Sequence, residues 1–117
     1  MQNPIFKKDK YSRARGGSSK LLSIICSSCN NQMCTYQKDG PGGLLRMYLD
    51  RFVSPIDLIK QFQSTQTKKD IHGLQCPQCN SLVAVPMVYK KENRLAFRLI
   101  PNKIKSKELI INKKNED

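Results

Sequence analysis

The chain of 117 residues lacks any long hydrophobic run. Its apolar stretch Leu21-Leu22-Ser23-Ile24-Ile25 is too short for a signal-peptide core or a membrane span. We therefore expect an intracellular, cytoplasmic protein without a membrane-spanning segment. In a reducing compartment, paired CxxC motifs indicate metal binding or thiol chemistry before structural disulfides.

Motifs of common enzymes are also missing. There is no catalytic serine motif, and the aspartates of the central region are scattered, with no paired-carboxylate pattern. The loop 40–43 (Gly-Pro-Gly-Gly), with Lys38 and Arg46 nearby, invites comparison with phosphate-binding loops. It lacks P-loop spacing and the strand-to-helix context of a dinucleotide site, so a hairpin turn is favoured. We expect no enzyme activity and no small-molecule substrate.

Acidic residues are few: 9 Asp and Glu stand against 21 Lys and Arg, for a net charge of +12. The excess is concentrated in residues 1–20 and 86–115, while residues 21–85 are nearly balanced. A surplus of this sign attracts polyanions, although solubility alone is the simpler explanation. The expected partner is nucleic acid or, alternatively, an acidic protein.

Three regions follow from composition. Residues 1–20 are polar, basic and glycine-containing, which predicts a disordered basic arm because such a segment buries too little surface to offset chain entropy. Residues 21–101 hold the apolar residues and the paired cysteines and form the expected zinc-binding domain. Residues 102–117 are interpreted as a basic, flexible tail, within which 109–111 could add an edge strand.

The most specific feature is a pair of CxxC motifs, Cys26/Cys29 and Cys76/Cys79. Two such turns supply four thiolates in a tetrahedron, the usual arrangement of closed structural zinc sites. We predict one structural Zn²⁺ ion. Iron with the same ligands, a redox dithiol and, for a secreted chain, two disulfides remain as alternatives. The odd Cys34 is expected to be a small buried residue, and His72 an ordinary loop histidine.

A weak internal repeat, offset by 50 residues, relates the two motifs. Each half is predicted to be a CxxC turn followed by two strands, giving a small β-rich (α+β) fold around one zinc ion. The first half would place strands at 32–38 and 44–52, and the second at 82–89 and 95–100. Pro86 suggests an edge strand or a bulge. Residues 44–52 also fit an amphipathic helix, but the repeat favours a strand.

A short helix is predicted to join the halves. Ser54 suits the N-cap, Pro55 the first helical position and Asp57 the acid of a capping box. Ile56, Ile59 and Phe62 would then face the core, and the helix would end near residue 63.

The two CxxC turns, each followed by a hairpin, resemble the zinc-ribbon group over residues 24–38 and 74–100. This resemblance implies that Cys26, Cys29, Cys76 and Cys79 hold zinc structurally, in a protein that serves transcription, translation or protein assembly. The first motif lacks the usual proline and glycine, and 46 residues separate the two motifs. Residues 36–51 are also similar to a segment of small uncharacterised bacterial proteins, which implies no activity.

Two main classes of function are compatible with these features. In the first, a zinc scaffold presents basic residues to nucleic acid; in the second, it is an adaptor that docks a protein partner. Thiol redox chemistry or metal transfer is a distant third. The candidate phosphate-contacting residues are Arg13, Arg15, Lys90, Lys91, Arg94, Arg98, Lys103, Lys105 and Lys107.

Overall fold

The computed structural model describes residues 6–110, which form two antiparallel four-stranded sheets and two short helices. The helices are α1 (Lys10–Ala14) and α2 (Ile56–Gln63). The strands are β1 (Ser19–Cys26), β2 (Gln32–Asp39), β3 (Arg46–Tyr48), β4 (Phe52–Ser54), β5 (Leu74–Gln75), β6 (Leu82–Tyr89), β7 (Arg94–Leu99) and β8 (Ile104–Leu109). Short 3₁₀ turns cover Leu49–Arg51 and Lys68–Asp70. The predicted small β-rich (α+β) fold is therefore confirmed at this coarse level, with α1 as a helix that was not predicted.

The first sheet has the strand order β4-β2-β1-β8, and the second has the order β3-β7-β6-β5. The hairpin β6–β7 in the second sheet lies close to the predicted position. Pro86 pairs with Phe97 on one side, and it lies beyond the short β5 on the other. At Pro86 the strand β6 is therefore an edge of the described sheet, as the proline predicted, and no ladder hydrogen bond is lost there for want of an N–H group.

The hairpin expected in the first half is wrong. The chain leaves β2 at Asp39 and enters β3 at Arg46, but β3 pairs with β7 of the second sheet. The partners of β2 are instead β1 and, through Thr35 with Ser54, β4. The glycine-rich loop is consequently a crossover between two sheets. Residues 44–52 contain the strand β3 and a 3₁₀ turn, where one continuous strand was expected.

The 50-residue repeat is visible in the hydrogen-bonded registers. In each half, the strand before the CxxC turn pairs with the strand after it, with a bulge at the equivalent place. The equivalent pairs are Ile24–Cys34 and Ile25–Gln32 in one half, and Leu74–Ala84 and Gln75–Leu82 in the other. Between the sheets, Met47 pairs directly with its own repeat counterpart, Phe97. This pairing is what an approximate two-fold relation between the halves requires.

The core lies between the sheets and α2. Its centre is a group of edge-on aromatic contacts, in which Phe52 is 4.9 Å from Phe62 and 5.4 Å from Tyr36 between ring centroids. Phe97 joins the group from β7, 5.5 Å from Phe62. Residues from both halves thus share one core.

Helix α2 differs from its prediction at the N-terminal end. It begins at Ile56 after Pro55, and no side chain caps it. Ser54 cannot act as the cap because it belongs to β4 and pairs with Thr35. Phe62 is buried and Ile59 packs against the core as predicted, whereas Ile56 is 59% exposed.

The two ends of the domain are more structured than composition suggested. In the described part of the expected arm, Asp9 caps α1 through a capping box, and β1 begins at Ser19. In the expected tail, β8 pairs with β1 from Leu109 to Ile104. The described parts of the expected disordered arm and flexible tail thus contain α1 and β8, which ion pairs and strand pairing hold in place. Residues 1–5 and 111–117 lie outside the described residues.

Candidate metal centre

Two equivalent turns build the candidate metal centre, one at the end of β1 and one after β5. In each turn the backbone N–H of the first cysteine donates to a carbonyl five residues later, at 2.9 Å: Cys26 to Asn31 and Cys76 to Ser81. In the reverse direction, Asn30 and Asn80 donate N–H groups to the carbonyls of Cys26 and Cys76 at 2.8 Å. The two CxxC segments are therefore held in the same local conformation.

An asparagine closes each turn in the left-handed region, since Asn30 and Asn80 both have φ of 64°. Asparagine tolerates this conformation better than most non-glycine residues. The sequence CxxCN, present in both halves, thus encodes the turn as well as the ligands.

The four sulfurs converge on one point. Cys26 Sγ lies 3.7 Å from Cys79 Sγ, and Cys29 Sγ lies 3.6 Å from Cys76 Sγ. All four sulfur atoms lie within 4.8 Å of one another, and no disulfide joins the cysteines. Zinc–sulfur bonds of about 2.3 Å in a tetrahedron separate the sulfurs by about 3.8 Å. The cluster therefore fits a metal ion held by four thiolates.

The surroundings of the sulfurs favour the thiolate at the first cysteine of each turn and the thiol at the second. At Cys29 and Cys79 a backbone N–H is outweighed by burial and the neighbouring thiols, which raise the pKa of both, to about 12 for Cys29. Burial opposes ionisation of Cys76, but backbone N–H groups of Cys79 and Gln78 outweigh it and lower the pKa of that thiol to about 6. Cys26 has the same arrangement: burial is opposed by the N–H groups of Cys29 and Ser28, and its pKa is lowered. Negative charge in this cluster calls for a cation, because a buried anionic group without a partner is costly.

The side chain of Asn31 adds a contact between the halves, since its Nδ2 donates to Cys76 Sγ at 3.8 Å. A donor next to a ligand sulfur helps to orient it. With four cysteines around the centre, a tetrahedral ion has no open position, so the ion would supply cross-linking rather than water activation.

The other two candidate ligands lie elsewhere. Cys34 is 1% exposed on β2, and burial raises its pKa to about 12. It is the small buried residue that the repeat predicted. His72 is exposed and does not belong to the cysteine cluster.

The candidate phosphate-contacting residues are in different settings. Arg94 is 5% exposed and forms ion pairs with Asp50 and Glu92, and Arg15 pairs with Glu92 at 2.8 Å. These two arginines form ion pairs within the protein, and their expected contact with phosphate stays a prediction. The side chains of the other exposed candidates lie on the surface: Arg13, Lys90, Lys91, Arg98, Lys105 and Lys107. Lys103 is half-buried before β8.

Sequence reasoning did not predict that charged residues would be buried. Arg51 is 2% exposed and pairs with Asp39 and Asp9 at 2.8 and 2.7 Å. Lys38 is 8% exposed and lies at the end of β2 beside the glycine-rich loop. Of these two residues, only Lys38 was singled out in the sequence, because it lies next to that loop.

Comparisons of the chain with protein-family models, with curated proteins and with solved structures gave no significant match. Among the described residues, no helix has the length and apolar character needed to cross a membrane.

Proposed function

We propose that this protein is a non-catalytic module in which one structural zinc ion joins two halves, and that its lysine-rich surface binds nucleic acid. The cysteine cluster supports the first part. Zinc is chosen over iron because closed sites with four cysteines and a purely structural role are typical of zinc. Thiolate ligands need a reducing environment, so we place the protein in the cytoplasm.

The observation that carries the second part is how the charges are paired. Every salt bridge among the described residues uses one of three arginines: Arg15, Arg51 or Arg94. Their partners in these salt bridges are Asp9, Asp39, Asp50 and Glu92. Within the same residues no lysine forms a salt bridge, so the lysines form a surplus of positive charge available to a polyanion.

Strand β8 concentrates part of this surplus. It lies at the edge of the first sheet, and Lys105 and Lys107 are exposed on it. The ammonium of Lys105 donates to Asn30 Oδ1 at 2.6 Å, next to the first cysteine turn. The backbone of Lys103 accepts a hydrogen bond from Ser27 in that turn at 3.0 Å. The zinc site would therefore hold this basic edge in place.

The salt dependence of binding to a single-stranded oligonucleotide tests the proposal. Each phosphate contact contributes about −0.7 to the slope of log K against log salt for single strands. The triple variant K103Q/K105Q/K107Q should weaken binding and reduce the size of that slope by about 2. The matched control K60Q/K68Q/K69Q removes equal charge from α2 and the following turn, and it should change the slope much less.

Equal slopes for wild type and the β8 variant would refute the proposed surface. An acidic protein is the alternative partner, because the same lysines would suit a carboxylate-rich surface. That alternative predicts capture of a specific acidic protein that survives nuclease treatment, together with no measurable oligonucleotide binding.

A further inference from the structure

A cavity of about 370 Å³ opens beside the glycine-rich loop, away from the cysteine cluster and from β8. It lies between the end of β2, the loop 40–45 and the start of β3. The lining groups that matter here are Arg15, Lys38, Gly42, Gly43, Arg46 and Tyr48. Three of these six residues are cationic.

Lys38 is the unusual member of this set because it is buried without an ion-pair partner. Its ammonium donates to the carbonyl oxygens of Gly40 at 2.8 Å and Pro41 at 3.1 Å, which leaves one of its three N–H groups unassigned. The neighbouring Asp39 does not neutralise it, because that carboxylate bonds to Arg51, Ser19 and Gln37. A buried charge without a counter-charge is costly.

Arg46 adds a second positive charge at the same cavity. Its guanidinium lies 4.1 Å from the centre of the Tyr89 ring, and its Nε donates to the Tyr48 hydroxyl at 3.2 Å. Arg46 forms no salt bridge within the described residues. By contrast, Arg15 is neutralised by Glu92, so Lys38 and Arg46 supply the unbalanced charge.

The backbone of the loop is exposed at Gly42 and Gly43, on the wall of the cavity. Gly40 has φ of 78°, and a Cβ there would meet Arg15 Cβ at 2.8 Å, so the close approach of α1 to the loop requires glycine. Gly42 has φ of 97° with no atom near a hypothetical Cβ, and the same space is open at Gly43. Backbone in this kind of glycine-rich turn can offer N–H groups to an anion.

We propose that this cavity binds a phosphate group, with Lys38 and Arg46 as the charged contacts and the backbone of the loop 42–43 as the wall. The inference does not depend on nucleic-acid binding by β8. The unneutralised buried lysine is what distinguishes the cavity from an ordinary surface groove. Two sources share this chemistry: a small phosphate monoester, such as a nucleotide, and the phosphorylated end of a nucleic-acid strand.

The test uses the full zinc-loaded chain and four probes: inorganic phosphate, adenosine 5′-monophosphate, adenosine, and one oligonucleotide with a 5′-phosphate or a 5′-hydroxyl end. Calorimetry gives affinities, and NMR follows the amide signals of Gly42 and Gly43. We expect saturable binding of phosphate and the monophosphate, shifts at both glycines, and no binding of adenosine. Tighter binding of the 5′-phosphorylated strand than of the same strand with a 5′-hydroxyl end identifies a strand end as the source; equal binding of the two strands, with saturable binding of the monophosphate, identifies a small ligand.

Variants K38Q and R46Q should each weaken phosphate binding at least tenfold, while K60Q, which removes a lysine from the exposed face of α2, should not. Zinc content and the amide spectrum report whether each variant folds. If K38Q does not fold, R46Q decides the question, because its side chain is partly exposed. Absence of saturable phosphate binding, equal binding of adenosine, or wild-type affinity in R46Q would overturn the proposal.

Discussion

Arg51 is the residue on which the charged interior depends. It donates to Asp39 of β2 and to Asp9 at the start of α1, and it lies 3.8 Å from Asp50. Asp50 in turn pairs with Arg94 at 2.7 Å, at the start of β7 in the other sheet. A continuous chain of opposite charges thus connects α1 and both sheets. Its members are mutually dependent, because each buried charge is compensated only by its neighbours.

Replacing Arg51 by alanine should therefore be severely destabilising. The substitution leaves the Asp39 carboxylate, whose side chain is 4% exposed, without its cation. Breaking a buried pair in this way costs about 3–5 kcal/mol. Urea unfolding of the zinc-loaded variant measures the loss. The control R13A removes an exposed arginine from α1 and should stay within about 0.5 kcal/mol of wild type. A loss below about 1 kcal/mol for R51A would show that the ion pairs do not hold the fold.

Asp9 gives the network a dependence on pH. The hydrogen bond from Arg51 outweighs burial and lowers the pKa of Asp9 from 3.8 to about 2. A carboxylate whose pKa is lower in the folded state stabilises fully above its unfolded pKa, and that stabilisation is lost as pH falls toward the folded value. The stability gap between wild type and D9N should therefore be widest near neutral pH and should narrow between pH 5 and pH 2.

Urea unfolding of both proteins at matched zinc concentration, from pH 7 downward, measures this gap. Acid also releases a thiolate-bound metal, so the two proteins are compared only at pH values where both keep their zinc and stay folded. A gap that stays constant as pH falls through 4 would mean that the Asp9 carboxylate does not contribute through its charge.

At the scale of elements, helix α2 carries one buried and one exposed apolar residue, although both were predicted to face the core. Phe62 contacts the rings of Phe52 and Phe97, whereas Ile56 at the helix start is 59% exposed. Phe62→Ala should cost about 3–5 kcal/mol through lost burial and the cavity left behind. Ile56→Ala should stay within about 0.5 kcal/mol of wild type, as exposed substitutions do. Thermal and urea unfolding compare the two variants; similar losses would restore the sequence-based assignment of both residues to the core.

The elements also explain what the sequence could and could not predict. The candidate metal ligands and the hairpin β6–β7 follow from local rules: CxxC spacing with asparagine, and period-two alternation in residues 95–100. The crossover after Asp39 could not be read in this way, because the partner of β3 lies about 50 residues away in β7. Likewise, the polar composition around Asp9 predicts disorder. In the structure Asp9 pairs with Arg51 and Arg15 pairs with Glu92, and both partners are far away in the sequence.

At the scale of the whole molecule, one approximate two-fold operation exchanges the two halves, and the cysteine cluster and the Met47–Phe97 pair both obey it. The sulfur contacts follow the same rule, since Cys26–Cys79 and Cys29–Cys76 exchange when the halves are exchanged. One turn belongs to the first sheet and the other to the second. A metal ion held by the four cysteines would therefore join the two sheets at one place, while the aromatic core and the ion-pair network connect them elsewhere.

Metal removal should consequently unfold the protein rather than loosen one turn. Structural zinc contributes apparent binding energies of about 10–16 kcal/mol in small peptides near neutral pH, against a net stability of about 5–15 kcal/mol for a typical domain. Without the ion, four thiols would face each other across the two sheets with no attractive partner. Circular dichroism and amide NMR in a strong chelator, with metal loss confirmed by mass spectrometry, should show loss of the cooperative melt and its return when zinc is added.

The variant C34A keeps all four ligands and should still bind one zinc ion, whereas C79S should not hold it tightly. A metal-free protein that melts cooperatively at the original temperature would mean that the core and the ion pairs suffice to join the halves, and the cysteine cluster would then need another role.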